Sequence, residues 1–520
     1  MPVSPTSVVL EFELAGDGGG WTDLSADVQL GVQPIVFEYG IRGGGPLDRV
    51  ASIGTMTWSM NNSTRNSSGL LGRYTPGHAN CLANWKLGIA VRLKIVYGGV
   101  TYYKFRGSII SMQPDAGITR RRAVQCVAHD WMDDASLCLV KDTQIQLNQR
   151  SDELVDTVVT QCVGRQPAAT SYATGQSTFA YAMDNMRDER TLALRALTDI
   201  ILAEVGYLYV KGDTAQGGTL KFEDRHARPL AANAATFSST MFDIVAVRSR
   251  EDIFNHIFAI VHPRKVDAAA TTVIYSLADT TSEVPSLLPG ETKSLTVLFR
   301  GDNNRFVRVG ADSVVTPVAA TDYVGNSQAD GGGSNLTASL GLVFSFSSNT
   351  GTMTWTNNHP TSTIYLTTMQ VRGKAVQDRY ELGVEAENEE SEEQYGERDL
   401  TYDMIFEDNT DLAKGVADWI VALYGTARMV VSEISLKATR NSTLLTQALA
   451  REPGDKVTLT EGMTGITAVA YFINGVKGTY SAGGLLDVSW VLAPADQQQA
   501  WILEDAVAGL LESTTILGFA

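Results

Sequence analysis

From Asn409 to Pro494 the spacing of apolar residues switches from helical to strand-like. Leu412, Val416, Trp419, Ile420, Leu423 and Tyr424 recur at i, i+4, i+7, i+8, i+11 and i+12, one stripe of a 3.6-residue period. Asn409 or Thr410 is placed to cap the first turn, Asp411 to complement the dipole, and Gly425 to take the left-handed position that ends a helix. The period then becomes two. Ile434, Leu436 and Ala438 alternate with Glu433, Ser435 and Lys437, and Val457 and Leu459 follow the turn Pro453-Gly454-Asp455. Val469, Tyr471 and Ile473, then Leu486, Val488, Trp490 and Leu492, complete four half-buried strands. The expectation is a helix laid on a small β-barrel or sandwich.

Strand patterns also fill the N-terminal region. Met56, Trp58 and Met60 face one way and Thr55 and Thr57 the other; Val91, Leu93, Ile95 and Tyr97 alternate up to a hairpin at Gly98-Gly99. Between 150 and 225, Leu154, Val155, Val158, Val159 and Cys162 predict one helix. Leu192, Leu194, Leu197, Ile200, Ile201 and Val205 predict a second, stopped by Gly206. Residues 243–265 return to strand character. A Ser/Thr-rich stretch then carries roughly six or seven strand signals, Leu342, Phe344, Phe346, Met353 and Trp355 among them, which suits an immunoglobulin-like sandwich. The expected class is mainly β (α+β). A first β-barrel covers 1–118 and a helix-containing α+β domain 119–239. A second barrel is assembled from 240–266 plus 377–494, an inserted β-sandwich spans 267–376, and 495–520 form a C-terminal assembly helix.

Composition narrows the function. The chain has 44% apolar residues, enough for real cores, and a formal net charge of −17 that argues against nucleic acid as a bound partner. No apolar run reaches the ~20 residues of a membrane helix. The start, MPVSPTSVVLEFEL, lacks the basic and apolar regions of a signal peptide, so synthesis in a cytoplasm is expected. Cys81, Cys126, Cys138 and Cys162 show no CxxC spacing and read as small buried side chains. His129-Asp130 with Asp133-Asp134 offers metal-ligand types without a metal-ligand spacing. The run Glu385–Glu393 could bind a cation such as Ca²⁺, but a solvated acidic face is the favoured reading. With no GxSxG, no HExxH and no conspicuous Cys-His pair, neither an enzyme nor a cofactor is expected.

Several segments carry a family resemblance in their order: Trp21-Thr22-Asp23-Leu24, the strand TMTWSMNN, the loop Tyr74-Thr75-Pro76, and GIAVRLKIVYGGVTYYKFRGSIISMQPD with its Phe-Arg-Gly return. RRRAVQCVAHDWMDDA, Asn255 before a strand, YGERDLTYDMIFEDNTDLAKGVADWIVALY and the closing strands continue it. This order resembles the baseplate hub, or tail-tip hub, proteins of long-tailed bacteriophages, including the trimeric hub of contractile tails. The resemblance implies a structural virion protein at the tail tip. It would be a homotrimer whose pseudo-sixfold ring continues the tail tube and lines the genome exit path. Tail-tube proteins, the end of the tape-measure protein, and a tail fibre or spike would be its partners. A glycan- or receptor-binding β-protein of the tail tip remains the alternative. The chain departs from the family at 497–520, where Trp501, Val507, Leu510 and Leu511 would cover one face of an assembly helix.

Overall fold

The computed structural model describes residues 2–16, 20–116, 121–140, 143–161, 165–184, 191–267, 269–279, 283–301, 309–378, 381–495, 499–501 and 515–517. The N-terminal strands are β1 (Ser7–Phe12), β2 (Ile35–Gly40), β3 (Thr55–Asn61), β4 (Ala90–Tyr97), β5 (Val100–Pro114) and β6 (Ala123–His129). Their alternation is the one read from sequence: Phe12, Met56, Trp58, Met60, Val91, Leu93 and Ile95 are buried. Gly98 and Gly99 both have positive φ between the paired Tyr97 and Val100, so the hairpin closes on a two-residue turn.

Helices α1 (Trp131–Leu137), α2 (Ser151–Gln161) and α3 (Ala193–Glu204) pack with the hairpin β7 (Tyr207–Lys211) and β8 (Thr219–Glu223) around a second core. The left-handed residue ending α3 is Val205, at φ 63°, rather than Gly206. Gly206 is needed for another reason: a Cβ there would lie 2.5 Å from the Glu223 carbonyl oxygen. Val205 is held in place from outside, because buried Arg49 donates to its carbonyl at 2.7 Å.

The remaining main-body elements are β9 (Asn233–Ser238), β10 (Asp243–Val247), β11 (His256–Val261), β12 (Leu382–Glu387), α4 (Glu389–Tyr395), β13 (Asp399–Met404) and α5 (Thr410–Tyr424). They are followed by β14 (Val430–Lys437), α6 (Ser442–Ala450), β15 (Lys456–Glu461), β16 (Ile466–Ser481) and β17 (Leu485–Pro494). The two barrels expected from sequence do not close. Most of their strands form one 13-stranded sheet in the order β10-β14-β17-β16-β2-β3-β6-β5-β4-β1, with Thr22–Asp23 beside β1 and with β15 and β9 branching from β16, while β11, β12 and β13 form a sheet of their own. The join is β16, whose first part pairs with β15 and whose second part pairs with β2 from Gly475↔Gly40 to Tyr480↔Ile35. Trp58 from one end of the chain and Trp490 from the other therefore belong to a single core.

Asn409 caps α5 as expected, accepting from the N–H groups of Asp411 and Leu412. Gly425 is right-handed, however, with φ −69°. The buried stripe of α5 does not lie on the C-terminal strands either. It covers a separate three-stranded sheet, β12-β11-β13. The helix on the C-terminal strands is α6, which the sequence reading missed; Asn441 caps it, and Leu444, Leu445, Ala448 and Leu449 enter the main core.

The segment between β11 and β12 is a two-sheet module. One long strand, Ile364–Asp378, pairs antiparallel with five short ones, and a three-stranded sheet of 292–298, 340–346 and 350–357 lies against it. Met353 and Trp355 from one sheet meet Leu366 and Val371 from the other in a shared core. At its base Val266 is directly opposite Val376, so the chain enters and leaves side by side.

Candidate functional site: an acidic sheet face and an open edge

The sheet β12-β11-β13 has two unlike faces. Ile257, Ala259 and Val261 with Tyr402 and Met404 are fully buried against α5. Strand alternation turns the intervening residues outward, and the register sets them in rows: Glu387, His256 and Asp399; Glu385, Phe258 and Thr401; Gly383, Ile260 and Asp403. From α4, Glu392 comes close enough to act on His256 electrostatically. The acidic run seen in sequence is thus one part of a larger carboxylate face, built mainly by strand pairing between remote segments. Two histidines stand on it. His262 Nε2 is 2.6 Å from Asp403 Oδ1, and that hydrogen bond holds its pKa above the usual value. His256 Nδ1 lies 2.8 Å from Asp399 Oδ1 and 3.1 Å from Glu397 Oε1.

Asn255 fixes the rim of this face. Fully buried, it donates from Nδ2 to Ser391 Oγ and the Gly396 carbonyl, and its Oδ1 accepts from the Arg398 N–H at 2.7 Å. One side chain therefore ties the start of β11 to α4 and to the turn carrying Glu397. A second polar knot binds the larger parts together. Lys104 on β5, 1% exposed, donates to Glu452 Oε1 and to the Leu449 and Arg451 carbonyls. Tyr39 on β2 and the Gly212 N–H both donate to Glu452 Oε2. A third centres on Asn474, where β16 changes partner: its Oδ1 accepts from Arg228 and its Nδ2 donates to the Gly43 carbonyl.

The opposite resource is an unpaired edge. β10 pairs with β14 on one side, and among the described residues no strand occupies the other. Phe242 (66% exposed), Val245 and Val247 (both 43%) make most of it apolar, with exposed Asp243 at its start and Lys437 over the Phe242 ring the nearest charges. Beside it a groove of about 610 Å³, lined among others by Val247, Phe254, Arg428, Leu492 and Pro494, lies where the main body ends. Of the expected assembly residues, Val507, Leu510 and Leu511 lie outside the described residues. Trp501 falls in a short strand, Gln499–Trp501, paired in parallel with Thr515–Leu517, so the described ends of that segment are extended rather than helical.

The His129 cluster lies at the start of α1. Asp130 caps α1 by accepting from the Met132 N–H, and His129 Nδ1 is 3.1 Å from Asp133 Oδ1. Cys126 is buried and Cys81 and Cys138 are half-buried, all as free thiols; Cys162 lies outside the described residues. Among the described residues no helix is long and apolar enough to cross a membrane.

No protein-family model and no curated protein matches the chain. Solved structures do. The 43 kDa tail protein of prophage MuSo2 from Shewanella oneidensis is similar over 94% of this chain and 99% of that one, at 10% identity and a TM-score of 0.46. A tail protein from Neisseria meningitidis MC58 is similar over 93% and 95%, at 9% identity and a TM-score of 0.47. The prophage tail protein gp18 from Listeria monocytogenes EGD-e is similar over 93% and 94%, at 8% identity and a TM-score of 0.39. All three are described as tail proteins, two of them from prophages.

Proposed function

We propose that the chain is a structural component of a phage tail tip, a hub that continues the tail tube and adapts it to the tip. The observation carrying this reading is the 13-stranded sheet with an open apolar edge at β10, which sets two strand-rich units side by side in one chain. Three copies then present six such units around an axis, matching a sixfold tube to a threefold tip, and closed rotation buries each open edge against a neighbour. The carboxylate face of β12-β11-β13 suits a wall past which DNA slides, because it repels phosphates. The segment 495–520 supplies a further contact, through Trp501, Val507, Leu510 and Leu511, to an adjoining subunit, the tape-measure end, or a fibre or spike. A glycan-binding role for the inserted module has less support, since the aromatic best suited to it, Trp355, is fully buried. An electron-microscopy reconstruction of the tail tip tests the proposal. Three copies per ring, each giving two units, is the expected result; six copies per ring, or one unit per copy, overturns it.

A further inference from the structure

The row Glu387, His256 and Asp399 of the acidic face, with the neighbouring turn, brings three metal-ligand side chains to one point. His256 and Asp399 are direct partners in the parallel ladder between β11 and β13, and Glu397 reaches the same point from the turn that Asn255 holds. Their three donor atoms all lie within 4.8 Å of one another, with Nδ1 at 2.8 Å and 3.1 Å from the two carboxylate oxygens. Separations of about 3 Å are the edges of a coordination shell whose bonds are about 2.0–2.2 Å long. The imidazole is fixed in place: its side chain is 13% exposed, and its ring packs edge-on to Phe258 at 4.4 Å.

Local charge points the same way. Glu387 is the direct partner of His256 on its other side, and Glu392 is close enough to act on the ring electrostatically. Of the cations nearby, Arg398 donates to the Arg250 carbonyl, and the Arg250 guanidinium lies against Gly396. The two carboxylates are 63% and 60% exposed, which leaves coordination positions open to water or to a donor from another chain.

We propose that His256, Glu397 and Asp399 form a binding site for a divalent first-row transition-metal ion, linking β11 to the turn before β13. One nitrogen and two carboxylate donors suit Zn²⁺, Co²⁺ or Ni²⁺; Ca²⁺ and Mg²⁺ take oxygen ligands and gain nothing from the imidazole. The site stands independently of the tail-tip reading.

The rival arrangement is an imidazolium shared between the two carboxylates, which would show the same distances and bind no metal. Calorimetric titration of the full chain, stripped with chelator and probed with Zn²⁺ at pH 7.5, separates the two. One saturable site per chain is expected, weakened about tenfold or more in both His256→Gln and Asp399→Asn. His262→Gln, which alters the other histidine of the face, should leave it unchanged. Co²⁺ in place of Zn²⁺ should give a visible ligand-field spectrum that His256→Gln abolishes. Absence of saturable binding overturns the proposal, as does Zn²⁺ affinity that His256→Gln leaves intact. Binding lost equally in His262→Gln overturns it too, since it would belong to the acidic face at large.

Discussion

Asn255 makes three side-chain hydrogen bonds in a fully buried position, and removing such a group leaves their partners unsatisfied. Asn255→Ala should destabilise the unit around β11 by about 2–3 kcal/mol, read as a lowered midpoint in thermal denaturation. The rim that holds Glu397 should loosen with it, raising amide exchange at Gly396–Arg398. Asp130 makes a pH-dependent case. Burial pushes its carboxyl up to about 7, even though the N–H groups of Gly54 and Met132 pull the other way. A folded pKa above the unfolded one means the contribution is fully present below pH ~4 and is lost as pH rises through ~7. Asp130→Asn keeps a cap acceptor without the charge. The loss of stability between pH 4.5 and pH 8 should therefore shrink in the variant, by denaturant titration at both values; an unchanged slope would contradict the assignment. Neither role was legible in the sequence. Asn255 stood out there only through the family resemblance, and Asp130 was weighed only as one of several metal-ligand types, beside His129 and near Asp133 and Asp134, without a metal-ligand spacing.

At the scale of elements, local signals read correctly and their partners did not. The Gly98-Gly99 hairpin, α2 over its described residues, α3 and the Asn409 cap all follow from a few neighbouring residues. Periodicity says that one face of α5 is buried without saying against what, and its partners β11 and β12 are remote in sequence. α6 was hidden because STLLTQALA is short and follows directly on a strand pattern. The inserted module is joined through the adjacent pair Val266 and Val376, so replacing 267–375 by a short Gly/Ser bridge closes an existing small gap at little cost. The excised protein should stay soluble and keep a cooperative main-body transition by calorimetry; a broadened one would mean the module shares the core. The β10 edge makes a separate prediction. Val245→Lys puts a charge on an exposed position, so monomer stability should stay within ~0.5 kcal/mol. Tail assembly in a complementation assay should fail, because an edge lysine opposes strand addition.

For the whole molecule, charge was the most legible property and its placement the least. The net −17 comes from composition, but the rows Glu387, His256, Asp399 and Gly383, Ile260, Asp403 exist only after three strands from distant segments pair. Duplex DNA should show no retardation by the protein at physiological salt, and a micromolar, salt-sensitive shift would contradict a repelling wall. Barrel closure was misjudged for a related reason: whether a sheet curls shut or runs on depends on which remote strands meet. Here β2 meets β16, and that pairing sets a timetable for the cell. A ribosome that has finished β2 must add about 430 more residues before the partner strand emerges, roughly 20–90 s at ordinary elongation rates. Throughout that interval β2 offers an unpaired, largely apolar flank to every other nascent chain on the same message. Chains released before about residue 475 keep that flank open permanently, so such truncated products should accumulate as aggregates while the 520-residue chain remains dispersed.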